Sequence, residues 1–137
     1  MWWIYALLSA LFASLTAIFA KIGVKGVDSD LATAVRTVVI LLIAWGIVFF
    51  KGTPGSINSL SQKNWLFLVL SGAATGLSWI FYFKALQIGK VSQVAPVDKL
   101  SLALTIALSV IFLKEVLTIK MAAGALLIIA GVFVLIL

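Results

Sequence analysis

Long apolar stretches with almost no charge are the feature that most constrains this chain. A helix needs about 20 apolar residues to cross roughly 30 Å of hydrocarbon. The 137 residues are 64% apolar and 10% charged, with a mean hydropathy of +1.28, which leaves no room for a large extramembrane domain. The sequence therefore predicts an all-α integral membrane bundle of five transmembrane helices, forming one domain over residues 1–137. The predicted spans are about 2–20, 31–50, 65–86, 92–113 and 119–137.

The polar residues between the apolar stretches predict where the helices begin. Asp30 is a plausible N-cap of the second helix, Ser92 of the fourth and Thr118 of the fifth, because short polar side chains accept hydrogen bonds from the first free N–H groups. With Ser92 as the cap, Pro96 falls in the first turn, where its missing N–H costs little. The segment from residue 52 to 64, with Pro, Gly, Asn and Ser, is the longest loop.

The charged and reactive residues exclude most enzyme chemistry. The chain has no histidine and no cysteine, and its only acids are Asp28, Asp30, Asp98 and Glu115, so thiol nucleophiles, disulfides and the usual zinc sites are excluded. We therefore expect no enzyme activity, no metal site and no cofactor. The net charge of +6 is spread along the chain, which indicates anchoring at the membrane edge and not nucleic-acid binding.

The lysines between the spans barely favour either side of the membrane. Five crossings place the chain ends on opposite sides, and the loops and helix ends of each side then carry four lysines. These are Lys51, Lys63, Lys114 and Lys120 on one side, and Lys21, Lys25, Lys84 and Lys90 on the other. Counting Arg36 and Lys99, which lie deeper inside helices, makes it four against six, still a weak bias. Orientation normally follows a clear Lys/Arg excess in cytoplasmic loops. One interpretation is that copies insert both ways and pair antiparallel. The alternative is that the first helix or a partner chain decides the orientation.

Hydroxyl side chains predict which helix faces are polar. The third helix carries Ser71, Thr75, Ser78 and Tyr82 at helical spacing, which forms one stripe along much of the bilayer depth. Such a stripe is expected to face protein or water. The alternative is that these hydroxyls bond to their own helix backbone and permit close packing. Gly72-x-x-x-Gly76 lies on an adjacent face and favours close helix approach.

The fourth helix carries Asp98, Ser101 and Thr105 in the same manner. The simplest arrangement therefore has the first four helices line a polar path. The fifth helix has no such stripe, and it is left to lipid or to helix contacts through Gly124 and Gly131.

Charges inside helices need a partner or a function, since an ion at the bilayer centre costs at least ~2.5–3.5 kcal/mol. Arg36, Lys84, Asp98 and Lys99 all lie towards the same membrane side. Asp98 is the acid that we expect to pair with Arg36. The four side chains comprise three cations and one carboxylate, and this excess of positive charge favours a substrate with a carboxylate or phosphate group. For Lys84, reaching along the apolar surface to the headgroups is the preferred interpretation.

Trp79 and Tyr82 lie well inside the third helix, so the usual aromatic belt at the membrane border does not explain them. They are candidates to line a substrate pocket and to make cation–π contacts. Plain packing in the bundle core is the alternative interpretation.

Several short motifs resemble the EamA domain of the drug/metabolite transporter superfamily. They are the third-helix ending Phe83-x-Ala85-Leu86, the Val94-x-Pro96 that opens the fourth helix, the Leu113-Lys-Glu-x-Leu-Thr118 linker, the Gly124 and Gly131 spacing, and Arg36. The resemblance spans essentially the whole chain. It implies two five-helix domains as inverted repeats in a typical member, so this chain is similar to half of a ten-helix transporter. The chain also resembles small multidrug resistance proteins in being a half-transporter, but its first helix has no carboxylate for proton-coupled antiport.

The predicted function is export or exchange of small organic metabolites by alternating access, through an antiparallel homodimer in the inner or plasma membrane. The alternative is a non-transporting subunit, or a half-transporter that needs a different partner chain. The predicted partners are the lipid bilayer, a second copy and an anionic or zwitterionic small molecule. The predicted substrate-path residues are Arg36, Ser71, Thr75, Ser78, Trp79, Tyr82, Asp98, Lys99, Ser101 and Thr105.

Overall fold

The computed structural model describes residues 1–137, and the chain is helical throughout, without strands. Five helical segments are long and apolar enough to cross a membrane, as predicted. The α-helices are α1 (Trp2–Gly23), α2 (Ser29–Phe50), α3 (Gln62–Ile88), α4 (Val91–Asp98), α5 (Leu100–Phe112) and α6 (Ile119–Ile136), and α4 and α5 together make the fourth span.

The helix caps confirm one prediction and correct another. Thr118 is the N-cap of α6, and its hydroxyl accepts a hydrogen bond from the N–H of Met121 at 3.2 Å. The N-cap of α2 is Asp28 and not Asp30, because the Asp28 carboxylate accepts from the N–H groups of Asp30 and Leu31 at 3.0 and 2.9 Å. Asp30 lies instead in the first turn, where its negative charge suits the helix dipole.

The loop before the third span is shorter than predicted. A 3₁₀ helix over Pro54–Ser59 occupies its middle, and α3 already begins at Gln62. The Ser61 hydroxyl accepts a hydrogen bond from the N–H of Asn64 at 3.2 Å, which satisfies one of the free donors of that first turn. Trp65 is therefore one turn inside the helix and does not open it.

The fourth span is broken, which corrects the prediction of one helix over residues 92–113. Lys90 precedes α4 and Ser92 lies inside it, so Pro96 is the sixth helical residue and not part of the first turn. There the proline ring crowds the carbonyl of Ser92 and supplies no N–H. The helix ends two residues later, and the N–H groups of Lys99 and Leu102 make tighter i to i+3 bonds, to the carbonyls of Pro96 and Lys99, both at 3.0 Å.

The chain forms two compact units, which are described separately. In the first, residues 1–18 and 88–137, α6 packs against both parts of the fourth span. The fifth span is therefore not left to lipid alone. Gly124 and Gly131 do not provide these contacts, since no atom lies within 4 Å of a side chain built at either position.

The second unit, residues 19–87, contains the end of α1, all of α2 and almost all of α3. Its buried apolar residues include Val24, Phe83 and Leu86. Side-chain contacts join Asp30 to Lys84 near the start of α2 and Arg36 to Trp79 further along it. Since the residue numbers rise on one helix as they fall on the other, α2 and α3 run antiparallel. This pair positions the candidate site.

Candidate functional site

Arg36 is a charged side chain within a membrane span. It lies seven residues after the first residue of the 22-residue helix α2, which places its backbone about 10 Å along a helix of about 33 Å. The last polar side chain of α2 is Thr37, and the rest of the helix as far as Phe50 is apolar. The guanidinium is therefore attached about two turns from the start of the helix, where the apolar part of α2 begins.

Two aromatic rings of α3 hold the Arg36 guanidinium. Its central carbon lies 4.6 Å from the ring centroid of Trp79 and 5.0 Å from that of Phe83. Trp79 and Phe83 are four residues apart, so a helix presents both rings on the same face. Each such contact contributes about 0.5–2 kcal/mol, the larger value applying where water is excluded. The aromatic face of α3 thus fixes the position of the charge.

Tyr82 completes this group of side chains. It interacts electrostatically with Arg36, and its ring meets that of Phe83 edge to face, with centroids 6.4 Å apart. Phe83 itself is buried, whereas Trp79 and Tyr82 are half-buried. We call Arg36, Trp79, Tyr82 and Phe83 the cation–aromatic cluster.

The charge of the cluster is not balanced by a carboxylate. The two ion pairs of the structure are Lys84–Asp30 and Lys99–Asp98, and neither includes Arg36. Asp98, the expected partner of Arg36, has its carboxylate 3.1 Å from the ammonium of Lys99. Ring faces attract a cation but leave its net charge in place. The cluster can therefore attract and hold an anion.

Polar contacts join the helix ends just beyond the cluster. Lys84 and Asp30 are 3.6 Å apart, with about half of each side chain exposed, and Gln87 Nε2 donates to the carbonyl of Val27 at 2.8 Å. We call three contacts the end contacts: Lys84–Asp30, Gln87–Val27, and the hydrogen bond from Lys21 Nζ to the carbonyl of Leu86. Exposed pairs of this kind contribute about 0–1 kcal/mol each, so they can open readily. Lys84, which was predicted to extend towards the headgroups, thus pairs with Asp30 in the single chain.

The predicted hydroxyl stripe on α3 divides into two parts. Tyr82 belongs to the cation–aromatic cluster, whereas Ser71, Thr75 and Ser78 are exposed in the single chain. The Thr75 hydroxyl donates to the carbonyl of Ser71 at 2.9 Å, which is the own-backbone bonding that the alternative interpretation anticipated. No atom lies within 4 Å of a side chain built at Gly72 or Gly76 on the adjacent face, so this side of the helix is open. We call these two glycines, together with Ser71, Thr75 and Ser78, the open face of α3.

The predicted residues of the fourth span lie at and after its break. Asp98 ends α4 and Lys99 is the residue between the two helices, and the two side chains pair with each other. Thr105 donates its hydroxyl to the carbonyl of Ser101 at 2.8 Å, again within its own helix. Ser101 and Thr105 are both exposed in the single chain.

The contact of Phe83 with Arg36 and the end contacts were not predicted from the sequence. The signal for Phe83 was its spacing of four from Trp79, which places a second ring beside any cation that reaches the first. Asp30 was interpreted only as a cap, although an acid at the start of α2 lies at the same end of the pair as Lys84 near the end of α3. The contact of Gln87 with a backbone carbonyl left no sequence signal.

The five long apolar helices and this intramembrane charge define the class: a multi-pass integral membrane protein. The model of the EamA-like transporter family matches residues 1–137, and the chain belongs to this family of membrane transporters. The expected family resemblance is thereby confirmed.

Two curated relatives match over nearly their full length. The chain is 47% identical over 134 residues to a protein of Sinorhizobium sp. named an uncharacterized transporter in the cobO 3' region, covering 98% of this chain and 95% of the relative. It is 32% identical over 132 residues to a protein of Methanocaldococcus jannaschii named an uncharacterized protein, covering 96% of this chain and 93% of the relative. No solved structure matches the chain.

Proposed function

We propose that this protein moves small organic metabolites across the inner or plasma membrane by alternating access, as an antiparallel homodimer. The observation that carries the proposal is the cation–aromatic cluster, in which a guanidinium inside a membrane span is held on two rings and has no carboxylate partner. An uncompensated charge in a span is costly, and such residues commonly mark substrate pathways.

Three observations support a second, inverted copy. Five spans place the ends of one copy on opposite sides, and the lysines of the loops and helix ends divide four to four between the sides. The matched relatives are themselves about as long as this chain, since it covers 95% and 93% of them. Many secondary transporters are built from two inverted repeats with the substrate between them. Two inverted copies of a short chain give the same arrangement.

The open face of α3 is where we place the contact with the transport path or the second copy. A helix face with Ser71, Thr75 and Ser78 is poorly suited to lipid, and the space beside Gly72 and Gly76 is empty in the single chain. Small residues on a membrane helix let another backbone approach closely. A second copy or water in the path would meet this face.

We assign the ten predicted residues to the substrate path of each copy. The cluster residues Arg36, Trp79 and Tyr82 would bind substrate directly. The open face of α3 and the residues at and after the break in the fourth span would supply the other polar groups, since discontinuous membrane helices are typical of transporter binding sites. The latter set is Ser71, Thr75, Ser78, Asp98, Lys99, Ser101 and Thr105.

Efflux from proteoliposomes tests the proposal. Vesicles containing only the purified chain would be loaded with a defined mixture of amino acids, organic acids, nucleosides and amines, and the released compounds identified by mass spectrometry. We expect at least one compound to leave at ten or more times the rate of protein-free vesicles. If no compound leaves faster than from empty vesicles, while a mixture with a second membrane chain restores release, the protein is a half-transporter with a different partner.

Covalent closure of the end contacts is expected to stop this efflux. In alternating access, the helix ends on one side must separate, and the weak Lys84–Asp30 pair is where α2 and α3 would part. The chain has no cysteine, so Asp30→Cys with Lys84→Cys introduces the only two thiols. A short bis-methanethiosulfonate, which forms a mixed disulfide with each cysteine and releases methanesulfinate, should lower efflux at least tenfold in the double variant, and reduction by dithiothreitol should restore it.

Each single cysteine variant treated with the same reagent is the matched control and should retain at least half of its efflux. Full efflux from a quantitatively cross-linked double variant would mean that α2 and α3 do not separate at this end during transport.

A further inference from the structure

The position of Arg36 against two rings, without a carboxylate partner, indicates what kind of molecule the cluster binds. We infer that the cation–aromatic cluster holds the carboxylate of an organic acid whose apolar body lies against the exposed parts of Trp79 and Tyr82, which makes organic carboxylates the substrate class. This inference rests on the proposed function, because it names the substrate of the same site.

The first step concerns the hydrogen-bonding groups of Arg36. A guanidinium has five N–H donors in one plane, arranged as a fork that matches a carboxylate with two parallel bonds. Trp79 and Phe83 lie on the side of the guanidinium towards α3, 4.6 and 5.0 Å from its central carbon. Ring faces provide no oxygen lone pairs, and neither acid-containing ion pair of the structure extends to Arg36. A carboxylate from outside the chain would both neutralise the charge and satisfy the fork.

The second step concerns depth. Arg36 lies six residues beyond Asp30 on α2, or about 9 Å further along the helix than the Lys84–Asp30 pair. A 22-residue helix is about as long as the hydrocarbon layer is thick, so lipid phosphates lie near its ends. The rings hold the guanidinium below that level, so the bound anion is a small molecule that enters the span and not a headgroup.

The third step concerns the rest of the ligand. Trp79 and Tyr82 are only half-buried, so parts of both rings lie at the surface of the single chain, where a bound molecule would contact them. Their rings combine a large apolar surface with a polar tip, and they favour flat or apolar groups with a polar end. An organic acid with an apolar body fits these surroundings better than a small, strongly hydrated inorganic anion.

Equilibrium binding of radiolabelled benzoate to the purified full chain in neutral detergent at pH 7.5 tests the inference. Benzoate provides a carboxylate on a flat apolar body, and benzamide has the same shape without the charge. We expect saturable benzoate binding, with competition by benzamide at least tenfold weaker. Equal competition by benzamide would overturn the inference, because the charge of the ligand would then not matter.

Variants of Arg36 localise the binding. Arg36→Lys keeps the charge but loses the planar fork and should weaken benzoate binding at least tenfold, and Arg36→Gln should abolish it. Lys84→Gln removes a cation near the end of the same helix pair, outside the cluster, and should change binding less than twofold. Unchanged binding in Arg36→Lys would overturn the pairing of the carboxylate with the guanidinium fork. The competition by benzamide on the unmodified chain remains decisive if Arg36→Gln fails to fold.

Two further competitors separate the sources of an anion. Inorganic phosphate should compete at least tenfold less well than benzoate, and adding phosphatidylglycerol to the micelles should leave the benzoate affinity unchanged. Strong competition by phosphate would indicate a general anion site, and competition by the lipid would indicate a headgroup site. Either of these two results would overturn the inference. Benzoate binding without any efflux would contradict the proposed function alone, whereas efflux without carboxylate preference would contradict this inference alone.

Discussion

Replacing Arg36 by glutamine is expected to reduce transport by proteoliposomes at least 100-fold while the protein still folds and inserts. The side chain supplies a charge inside a span that has no carboxylate partner, and its removal leaves Trp79 and Phe83 as an apolar wall without an attractive group for an anion. A loss of two to three charge-assisted hydrogen bonds at about 1.5–3 kcal/mol each is more than enough for a factor of this size. Initial efflux rates of the transported compound, at equal protein content per vesicle, measure the effect.

The matched control is Lys84→Gln, which removes a cation from the same pair of helices but breaks only an exposed ion pair. Its efflux should stay within about threefold of the unmodified protein, since an exposed pair contributes little. Gel-filtration profiles of both variants show whether each is folded. If Arg36→Gln elutes as the unmodified protein does and transports at the same rate, the cluster has no role in the path.

Forcing all copies into a single orientation is expected to abolish transport just as completely. The loops and helix ends carry four lysines on each side, so two added or removed charges in one loop should decide the insertion. Ser56→Lys with Asn58→Lys raises the count on the side of residues 51–63 to six, and Lys51→Gln with Lys63→Gln lowers it to two. Copies with one orientation cannot form an antiparallel pair, so neither variant should support efflux. Reporter domains fused after Leu137, one active on each side, show which orientation each variant has adopted.

Substituting glutamine at Ser56 and Asn58 is the control, because it alters the same exposed loop without changing its charge. This variant should give signal from both reporters and near-normal efflux. Signal from one reporter only in the unmodified chain, together with normal efflux, would show that the orientation is single and that the pair is parallel or contains another chain.

Composition alone was sufficient to predict the five spans, since each apolar stretch has the length that the bilayer requires and the polar segments between them are short. The cap at Thr118 was predictable because the residue stands directly before an apolar run. At α2 the N-cap was predicted at Asp30 and is Asp28, and at α4 it was predicted at Ser92 and is Lys90. Side-chain spacing does not decide between Asp28 and Asp30, because either carboxylate can reach the first free N–H groups and the backbone conformation makes the choice.

The break in the fourth span shows how one cap error changes a larger prediction. With Ser92 as the cap, Pro96 is harmless, but with the helix starting at Val91 the same proline lies in the interior and ends the helix at Asp98. A shift of two residues in the cap, from Ser92 to Lys90, thus decided whether the span was predicted to be continuous.

The candidate site was predictable in its members but not in its contacts. Arg36, Trp79 and Tyr82 could be singled out from the sequence because charge and aromatic groups deep in a span are unusual. The partner of Arg36 could not, because a carboxylate and an aromatic ring are both chemically suitable and the choice depends on which helices are adjacent. The approach of α2 and α3 favoured the rings.

Co-expression of the two orientation-fixed variants is the most direct test of the central claim that two inverted copies make one transporter. Each variant would carry a different affinity tag, and efflux would be measured from vesicles made at a series of mixing ratios. We predict almost no efflux from either variant alone, and a maximum near the rate of the unmodified protein at equal amounts. Efflux at the unmodified rate from one variant alone would contradict the claim.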